Sequence, residues 1–274
     1  MNRAPITGLY VPGDRSDRFD KAVAAGADLV ILDLEDAVAP DAKRAALDAV
    51  TGWLRARGDA RHAGGSAAEP GPVLQVRVNA GADHEVAALV ETGAPIELRV
   101  PKVESAADVE LVSQAAPGVP VAALLESALG LEHAFEIASH PAVTSIALGE
   151  ADLIGELGAD GEALLDYARA RLVFAARAAG LPAPMLSVFP AIRDPDGLRV
   201  DTQRGKRLGF VGRTAVHPAQ LSVIADVFTP AADELAWARE VIAALADRGV
   251  ATLASGEMVD AAMLPRARRI LGLD

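Results

Sequence analysis

Acidic side chains stand directly after several apolar segments of this sequence. Five of them occupy such positions: Glu35, Asp36, Glu126, Glu150 and Asp152. A carboxylate beside a buried segment is costly to remove from water unless a positive group lies near it. Arg77 and Lys102 are the nearest cationic candidates, but the acids outnumber them. This imbalance predicts a divalent cation among the carboxylates.

The available ligand types favour a hard cation. The acidic residues offer only oxygen ligands, and the five histidines form no H-x-H or H-E-x-x-H arrangement. Mg²⁺ and Mn²⁺ suit oxygen ligands, whereas zinc sites usually include histidine or cysteine. We therefore expect Mg²⁺, with Mn²⁺ as the alternative, held by one or two carboxylates together with water and substrate.

Other catalytic chemistries have less support. The chain has no cysteine, which excludes disulfides, thiolate metal sites and cysteine nucleophiles. Ser127 and Ser187 lack the G-x-S-x-G context of a serine hydrolase. A desolvated lysine at the end of a strand can form a Schiff base, so a metal-free aldolase that uses Lys102 is an open alternative.

The elements that must position these residues are short strands and longer helices in alternation. Eight strands are predicted, at residues 6–11, 28–34, 73–78, 96–100, 120–125, 143–148, 185–189 and 210–216. The main helices are predicted at residues 41–57, 82–91, 106–115, 129–139, 162–179 and 195–208. This order and the length of about 225 residues match an α/β fold of the TIM (β/α)8 barrel type.

A doubly wound open sheet is the alternative architecture. Residues 11–16, after the first strand, do not form the G-x-G-x-x-G turn expected there, which favours the barrel. The carboxyl ends of barrel strands form the catalytic face. Glu126 and Asp152 follow the adjacent fifth and sixth strands, so we interpret them as metal ligands. Glu150 has a structural alternative, a salt bridge across the rim.

The sequence divides into a catalytic barrel over residues 1–229 and a C-terminal helical extension over residues 230–274. The extension has a predicted helix at 233–246 and an amphipathic segment at 256–272, with no further strand. Its apolar faces need a partner, either its own barrel or a neighbouring subunit. Residues 58–72 are rich in Gly, Ala and Pro and are predicted to form a loop without catalytic residues.

Charge and hydropathy limit the partners. The 274 residues include 26 Lys and Arg and 38 Asp and Glu, which gives a net charge of −12. Such a surface repels nucleic acid and anionic membranes. No uncharged apolar stretch approaches the ~18 residues of a membrane helix, and the N-terminal residues lack the apolar core of a signal peptide. We expect a cytoplasmic protein that binds neither nucleic acid nor membrane.

Six motifs occur in a recognisable order along the chain. They are Leu9–Arg15, Leu32–Val38, Arg77–Asn79, Pro101–Ser105, Leu125–Ser127 and Gly149–Leu153. In these motifs the sequence resembles the citrate lyase β-subunit family of the HpcH/HpaI aldolase superfamily, and the likeness extends over almost the whole chain. Two positions depart from the family pattern: Ser127 stands where threonine is common, and Ser187 where the seventh strand often carries aspartate.

The resemblance implies a Mg²⁺-dependent carbon–carbon lyase. Such enzymes make or break the bond between a 2-keto acid and an acyl thioester, as in citryl-, malyl- and citramalyl-CoA. Glu126 and Asp152 match the family's metal ligands, so Glu126 also contributes to substrate binding through the metal. Arg77 matches the arginine that binds the substrate carboxylate. Glu35 and Asp36 would hold metal-bound waters or orient Arg77.

The resemblance also implies an oligomer. Asp260 matches the position at which related CoA lyases supply a catalytic acid or base from a neighbouring subunit's C-terminal segment. This implies a homo-oligomer, most often a trimer, and explains the extension after the barrel. The alternative is a β-subunit that acts only on an acyl-carrier-bound citryl thioester within a larger complex.

Coenzyme A as a partner requires a local basic group, because the chain is acidic and CoA is polyanionic. Arg15, Arg18 and Lys21 follow the first strand and are the predicted phosphate contacts, together with Lys43 and Arg44. The alternative interpretation is that these side chains are solvated partners of nearby aspartates.

Overall fold

The computed structural model describes residues 5–62, 71–159 and 161–273. These residues form two compact units, which divide between residues 226 and 227. The predicted boundary lies between residues 229 and 230. The first unit carries the predicted barrel, and the second carries the C-terminal extension.

The first unit is built on eight parallel strands. They are β1 Thr7–Pro12, β2 Leu29–Asp33, β3 Val73–Arg77, β4 Glu97–Val100, β5 Val121–Leu125, β6 Val143–Leu148, β7 Met185–Leu186 and β8 Gly212–Ala215. Their order in the sheet is β6-β5-β4-β3-β2-β1-β8-β7. Every residue of β2 and β5 is buried, as expected for strands that are covered on both faces. The predicted strands and the predicted TIM-barrel fold are confirmed.

The barrel is nearly closed, and its seam lies between β6 and β7. Among the described residues no ladder pair joins these two strands. Instead, the Ser187 hydroxyl donates to the Leu148 carbonyl at 2.6 Å. β7 is shorter than predicted because the Ser187 carbonyl accepts from Arg213 Nε and the Phe189 carbonyl from Gln220 Nε2. Side chains therefore hold the backbone that follows β7.

Helices surround the strands. They are α1 Phe19–Ala24, α2 Lys43–His62, α3 Asp83–Val90, α4 Ala106–Ala115, α5 Ala128–Glu132, α6 Ala134–Ala138, α7 Glu150–Leu157, α8 Glu162–Ala178, α9 Pro195–Leu208 and α10 Leu221–Phe228. The helices α7 and α10 were not predicted from the sequence. The predicted helix at 129–139 is interrupted at His133, whose ring Nδ1 lies 2.8 Å from the Glu104 carbonyl. None of the helices in the described ranges is long and apolar enough to cross a membrane.

The predicted loop at residues 58–72 is partly wrong, because α2 continues to His62. Residues 58–62 therefore belong to a helix. Residues 63–70 lie outside the described residues.

The second unit contains α11 Ala232–Ala244, β9 Val250–Thr252, β10 Met258–Asp260 and α12 Leu264–Ile270. The expectation of an extension without strands is therefore wrong, since β9 and β10 pair as an antiparallel hairpin. The turn between them includes Gly256 at a φ of 87°, a conformation that glycine adopts without strain. Val259 of β10 joins Val241 and Ala267 in this unit's core, so the hairpin supplies apolar surface that a helix was expected to supply.

Candidate active site

The carboxyl end of the barrel is organised around the guanidinium group of Arg77, the last residue of β3. Its Nε and Nη2 atoms donate to the two carboxylate oxygens of Asp33 at 2.7 and 2.6 Å. Asp33 ends β2 and is the ladder partner of Arg77. Asp33 is 1% exposed and Arg77 is 8% exposed. The two side chains therefore form a bidentate ion pair that is shielded from solvent.

Two more carboxylates reach the same guanidinium from the loop after β2. Arg77 Nη1 donates to Asp36 Oδ2 at 3.1 Å and lies 3.0 Å from Glu35 Oε2. The contact with Glu35 lacks hydrogen-bond geometry, so this buried oxygen has a charge partner but no hydrogen-bond donor among the described residues. Three carboxylates thus surround one cation.

The pKa values in this cluster reflect the excess of negative charge. Burial raises the pKa of Glu35 to about 7; the charge of Arg77 opposes this shift, and Asp36 and Glu126 add to it. Burial also lowers the pKa of Arg77, but its hydrogen bonds to Asp33 and the charge of Asp33 outweigh that effect and raise it. Arg77 is therefore always charged, whereas Glu35 can hold a proton near neutral pH.

The loop that carries Glu35 is fixed by Lys43 and Asn79. The Lys43 ammonium group donates to the carbonyls of Leu34 and Glu35 at 2.9 and 2.7 Å and to Asn79 Oδ1 at 2.7 Å. Asn79 Nδ2 in turn donates to the Leu34 carbonyl and to Glu85 Oε1. These hydrogen bonds use all three N–H donors of the Lys43 ammonium group. Lys43 therefore holds this loop and has no donor left for the CoA phosphate that it was predicted to contact.

Glu126 follows β5 and is 5% exposed. The backbone N–H of Lys102 donates to its Oε2 at 3.1 Å. Lys102 has a φ of 54°, which is strained for a residue other than glycine and is typical of functional sites. Gly149, after β6, lies against the same side chain, and a Cβ there would overlap the Glu126 carboxylate. The loops after β4 and β6 therefore form the space that Glu126 occupies.

Asp152 lies in the first turn of α7 and is exposed. Burial raises the pKa of Glu126 to about 7, and the negative charge of Asp152 raises it further. Asp36 contributes in the same direction, whereas Arg77 and the hydrogen bond from Lys102 oppose the shift. Glu126 and Asp152, which follow adjacent strands, are thus close enough to repel each other.

This pair of carboxylates fits a hard divalent cation. Both residues offer oxygen ligands, and a positive charge between them would relieve the repulsion and the cost of burying Glu126. The described residues contain no group of three or more Asp, Glu or His side chains placed to hold a metal ion. Most of the coordination positions would therefore belong to water and substrate, as is usual for Mg²⁺.

A second charged network lies around β7 and β8. Arg169 of α8 donates to both carboxylate oxygens of Glu150 at 2.7 and 2.8 Å and to Asp201 at 3.2 Å. Arg213 of β8 donates to the same Asp201 and to the Ser187 carbonyl. Burial raises the pKa of Asp201, but the hydrogen bond from Arg213 and the charge of Arg213 outweigh it and lower the pKa. Glu150 is ion-paired with Arg169, which is the structural alternative that the sequence offered for this residue.

Comparison with known proteins places this site in a family. The sequence profile of the HpcH/HpaI aldolase/citrate lyase family matches residues 6–218. The chain belongs to the HpcH/HpaI aldolase/citrate lyase family. A relative from Cereibacter sphaeroides named (3S)-malyl-CoA thioesterase is 37% identical and is aligned over 96% of this chain and 92% of its own length.

Two further relatives extend the comparison. The L-malyl-CoA/β-methylmalyl-CoA lyase of Cereibacter sphaeroides is 32% identical over 96% of this chain and 92% of its own length. The crystal structure of CitE from Mycobacterium tuberculosis in complex with magnesium, acetoacetate and coenzyme A superimposes with a TM-score of 0.82, at 31% identity, over 100% of this chain and 99% of that chain. These findings confirm the resemblance and the prediction of an enzyme in a carbon–carbon lyase family.

In this HpcH/HpaI family member, the predicted phosphate contacts lie after β1. Arg15 forms an ion pair with Asp17 at 3.0 Å, and Arg18 and Lys21 are exposed. Their contact with CoA stays a prediction. The Lys102 side chain is also exposed, so it lacks the desolvation that the Schiff-base alternative requires.

Asp260 belongs to the second unit, whereas the residues described above belong to the first. It ends β10, and its carboxylate accepts from the Ala262 backbone N–H at 2.9 Å, which caps the turn that follows. Its predicted role at a neighbouring chain's site stays a prediction, as do the trimer and the packing of the extension on a neighbouring subunit.

Asp33 and Tyr10 are site residues that were not predicted from the sequence. Asp33 is the main partner of Arg77, and the Arg77 Cζ atom lies 5.2 Å from the centroid of the Tyr10 ring. A signal for Asp33 existed, because it is a charged residue near the end of an otherwise apolar, fully buried strand. Such a residue needs a cation at the same edge of the sheet, and Arg77 ends the next strand.

Proposed function

We propose that this chain is a Mg²⁺-dependent lyase for a 3-hydroxy-3-carboxyacyl thioester of the citryl-, malyl- or citramalyl-CoA type. It cleaves or forms the carbon–carbon bond between a 2-keto acid and an acyl thioester. The observation that carries the proposal is the repelling pair Glu126 and Asp152 beside the Arg77 cluster. Two relatives support the proposal: one is named a malyl-CoA lyase, and the structure of another is a complex with magnesium and coenzyme A.

Glu126 and Asp152 are the residues that would hold Mg²⁺, with Mn²⁺ as an alternative, and Glu126 would contribute to substrate binding in this way. When bound, the cation supplies Lewis-acid activation of the substrate's hydroxyl and carboxylate oxygens. Gly149 is required beside Glu126, because any larger residue would displace the carboxylate.

Arg77 binds the substrate carboxylate or the enolate oxygen that develops during cleavage. Its bidentate pair with Asp33 fixes the plane of the guanidinium group, so little reorganisation is needed as charge develops. Asp36 and Glu35 hold the Nη1 side of the same group. Their role is to orient Arg77 and to bind water next to the metal.

Proton transfer falls to Asp260 of a neighbouring chain in this proposal. A base must take the proton of the substrate hydroxyl, and an acid must protonate the thioester enolate after the bond breaks. Asp260, at the end of β10, is only half-buried, so part of this residue is open to a ligand or another chain. Because Asp260 acts at a neighbouring chain, the proposal includes a homo-oligomer, preferably a trimer. The proposed location is the cytoplasm.

CoA is the proposed acyl carrier, with its phosphates bound by Arg15, Arg18 and Lys21. Arg15 is half-buried and Arg18 and Lys21 are exposed; all three lie in the segment that follows the carboxyl end of β1. An acyl carrier protein is the alternative source of the thioester. The comparison of activity on citryl-CoA and on citryl-acyl carrier protein distinguishes the two.

Hydrolysis of the thioester is a second candidate function. A relative at 37% identity is named (3S)-malyl-CoA thioesterase, which favours malyl-CoA as the substrate and malate as the product. The two reactions have different products: a lyase releases a 2-keto acid and acetyl-CoA, whereas a thioesterase releases a hydroxy acid and free CoA.

The decisive experiment is chromatography of the products from malyl-, citramalyl- and citryl-CoA, with Mg²⁺ and with EDTA. We expect acetyl-CoA and a 2-keto acid from one of the three, and only with Mg²⁺. Glu126→Gln should lower kcat/KM by about 100-fold or more and weaken Mg²⁺ binding in calorimetry. The control is Glu136→Gln, an exposed glutamate on α6.

Three results would contradict the lyase. Normal turnover and Mg²⁺ dependence in Glu126→Gln would remove the metal assignment. Free CoA as the first product would favour the thioesterase. Activity in EDTA, with a borohydride-trapped adduct at Lys102, would favour the Schiff-base aldolase.

A further inference from the structure

Arg99 is a buried cation, and no carboxylate among the described residues pairs with it. It lies on β4 and is 6% exposed. Within residues 5–62, 71–159 and 161–273, its one hydrogen bond runs from Nη1 to Gln75 Oε1 at 3.3 Å, and its Nε has no partner. Gln75 also donates to Glu97 Oε2 at 2.8 Å, so an amide separates Arg99 from the nearest acid in this chain of contacts. A guanidinium carries five N–H donors, and most of those of Arg99 are unused.

Arg99 lies beside the site built on Arg77. The two residues are ladder partners on β3 and β4, so their side chains leave the sheet on the same face. Both guanidinium groups contact one aromatic ring, since the Cζ atoms of Arg77 and Arg99 lie 5.2 and 5.6 Å from the Tyr10 centroid. Tyr10 is half-buried, and the ring that both arginines contact carries a hydroxyl group.

The two arginines differ in what they can offer an anion. Arg77 is already bound by Asp33, Glu35 and Asp36. Arg99 has no such partner among the described residues and is buried, and a buried, unpaired charge is unfavourable until a counter-charge arrives. A ligand with one carboxylate can satisfy the Arg77 side of the site only. A ligand with a second carboxylate would also neutralise Arg99.

We propose that Arg99 and Tyr10 form a second anion subsite that binds the distal carboxylate of a dicarboxylic 2-keto acid. This inference rests on the proposed function and narrows its substrate class: the keto-acid half of the thioester carries two carboxylates, one near Arg77 and one on Arg99. The protein should prefer such a substrate over a monocarboxylic keto acid, because the latter leaves the Arg99 charge buried and unpaired, which is unfavourable.

The test is calorimetric binding of pyruvate, with one carboxylate, and of freshly prepared oxaloacetate, with two, to the full chain in Mg²⁺. We expect the wild-type protein to bind oxaloacetate about 10-fold or more tightly than pyruvate. Arg99→Met should weaken oxaloacetate binding by about 10-fold or more and pyruvate binding by less than about 2-fold. Arg99→Lys should recover part of the loss, because it keeps the charge without the planar fork.

Two further variants distinguish loss of the subsite from misfolding of the protein. Tyr10→Phe keeps the ring and removes the hydroxyl, and it should weaken oxaloacetate binding by about 3- to 10-fold with little effect on pyruvate. The control is Arg199→Met, which removes a half-buried arginine that pairs with the exposed carboxylate of Asp226 on α10. Its affinities should equal those of the wild-type protein.

The outcomes separate the two proposals. Equal wild-type affinities for both keto acids, or equal losses for both in Arg99→Met and Tyr10→Phe, would overturn the subsite and leave the lyase intact. Loss of turnover in Arg99→Met with unchanged affinities would also overturn it, in favour of a role in stabilising the enolate. Absence of Mg²⁺-dependent binding of either keto acid to the wild-type protein would overturn both proposals.

Discussion

The two charged networks of the barrel have similar components and different electrostatic balance. In the β7–β8 network, Arg169 and Arg213 face Glu150 and Asp201, so two cations meet two carboxylates. In the Arg77 cluster, one guanidinium faces three carboxylates, and Glu126 and Asp152 lie close enough to add to the negative charge. Only the second network is unbalanced.

The pKa shifts follow this difference. In the balanced network the pKa of Asp201 is lowered despite burial, because Arg213 and Arg169 stabilise its charged form. In the unbalanced cluster burial raises the pKa values of Glu35 and Glu126 to about 7. Charges that the protein satisfies by itself stabilise the fold, and charges that it leaves unsatisfied mark the place where a ligand contributes.

The largest expected effect comes from breaking the balanced network. Arg169→Met leaves Glu150 without its bidentate partner at a side-chain exposure of 14%. An unpaired buried charge costs about 3–5 kcal/mol, so the free energy of unfolding should fall by about that amount in urea titrations. Removal of the pair in Glu150→Leu/Arg169→Met should recover a large part of the loss.

The control for this variant lies on the same helix. Arg177→Met removes an exposed arginine of α8 and should change the free energy of unfolding by less than about 0.5 kcal/mol. Equal destabilisation by Arg169→Met and Arg177→Met would contradict the distinction between the two networks.

The sequence was sufficient for the barrel because each strand is a local apolar run, and the alternation with helices repeats eight times. It was sufficient for Glu35, Asp36, Arg77 and Glu126 as neighbours because the carboxyl ends of parallel strands meet at one face. Asp33 was missed because it stands inside an apolar run and resembles the end of a strand rather than part of a site.

Other features depend on contacts between distant residues. The pairing of Glu150 with Arg169 joins residues on α7 and α8, and no local pattern specifies it. The short β7 results from the Ser187 carbonyl accepting from Arg213, a residue of β8. The hairpin of the second unit was missed because residues 256–272 were read as one amphipathic segment without strands, whereas Val259 of β10 contributes to the apolar core of that unit.

A smaller effect should come from the pH dependence of Glu35. Its pKa is about 7 in the folded protein and near 4.5 without burial. Between these values the folded protein holds a proton that the unfolded chain has released, so the free energy of unfolding falls as pH rises from about 4.5 to about 7. A shift of this size corresponds to about 3 kcal/mol.

Glu35→Gln should remove this part of the pH dependence. In urea titrations with EDTA, the variant and the wild-type protein should have similar stability near pH 4.5, and the variant should be more stable at pH 8. Both proteins retain Glu126; its charge raises the pKa of Glu35, so its influence on Glu35 is part of the difference that is measured. Glu136→Gln should follow the wild-type curve, and parallel curves for Glu35→Gln and wild type would contradict the imbalance at Arg77.

The smallest effect is expected at the barrel seam, next to the balanced network. Ser187→Ala removes the hydroxyl that donates to the Leu148 carbonyl across the β6–β7 gap. Loss of one such hydrogen bond should cost about 1 kcal/mol. Ser139→Ala is the matched control, because that hydroxyl donates to the Phe135 carbonyl of α6 in an exposed hydrogen bond, which should contribute less. If Ser187 only closes the barrel, kcat/KM of the variant should fall no more than its loss of stability predicts. A large loss of activity in a stable variant would instead extend the catalytic site to the seam. That result would contradict the separation between the two networks.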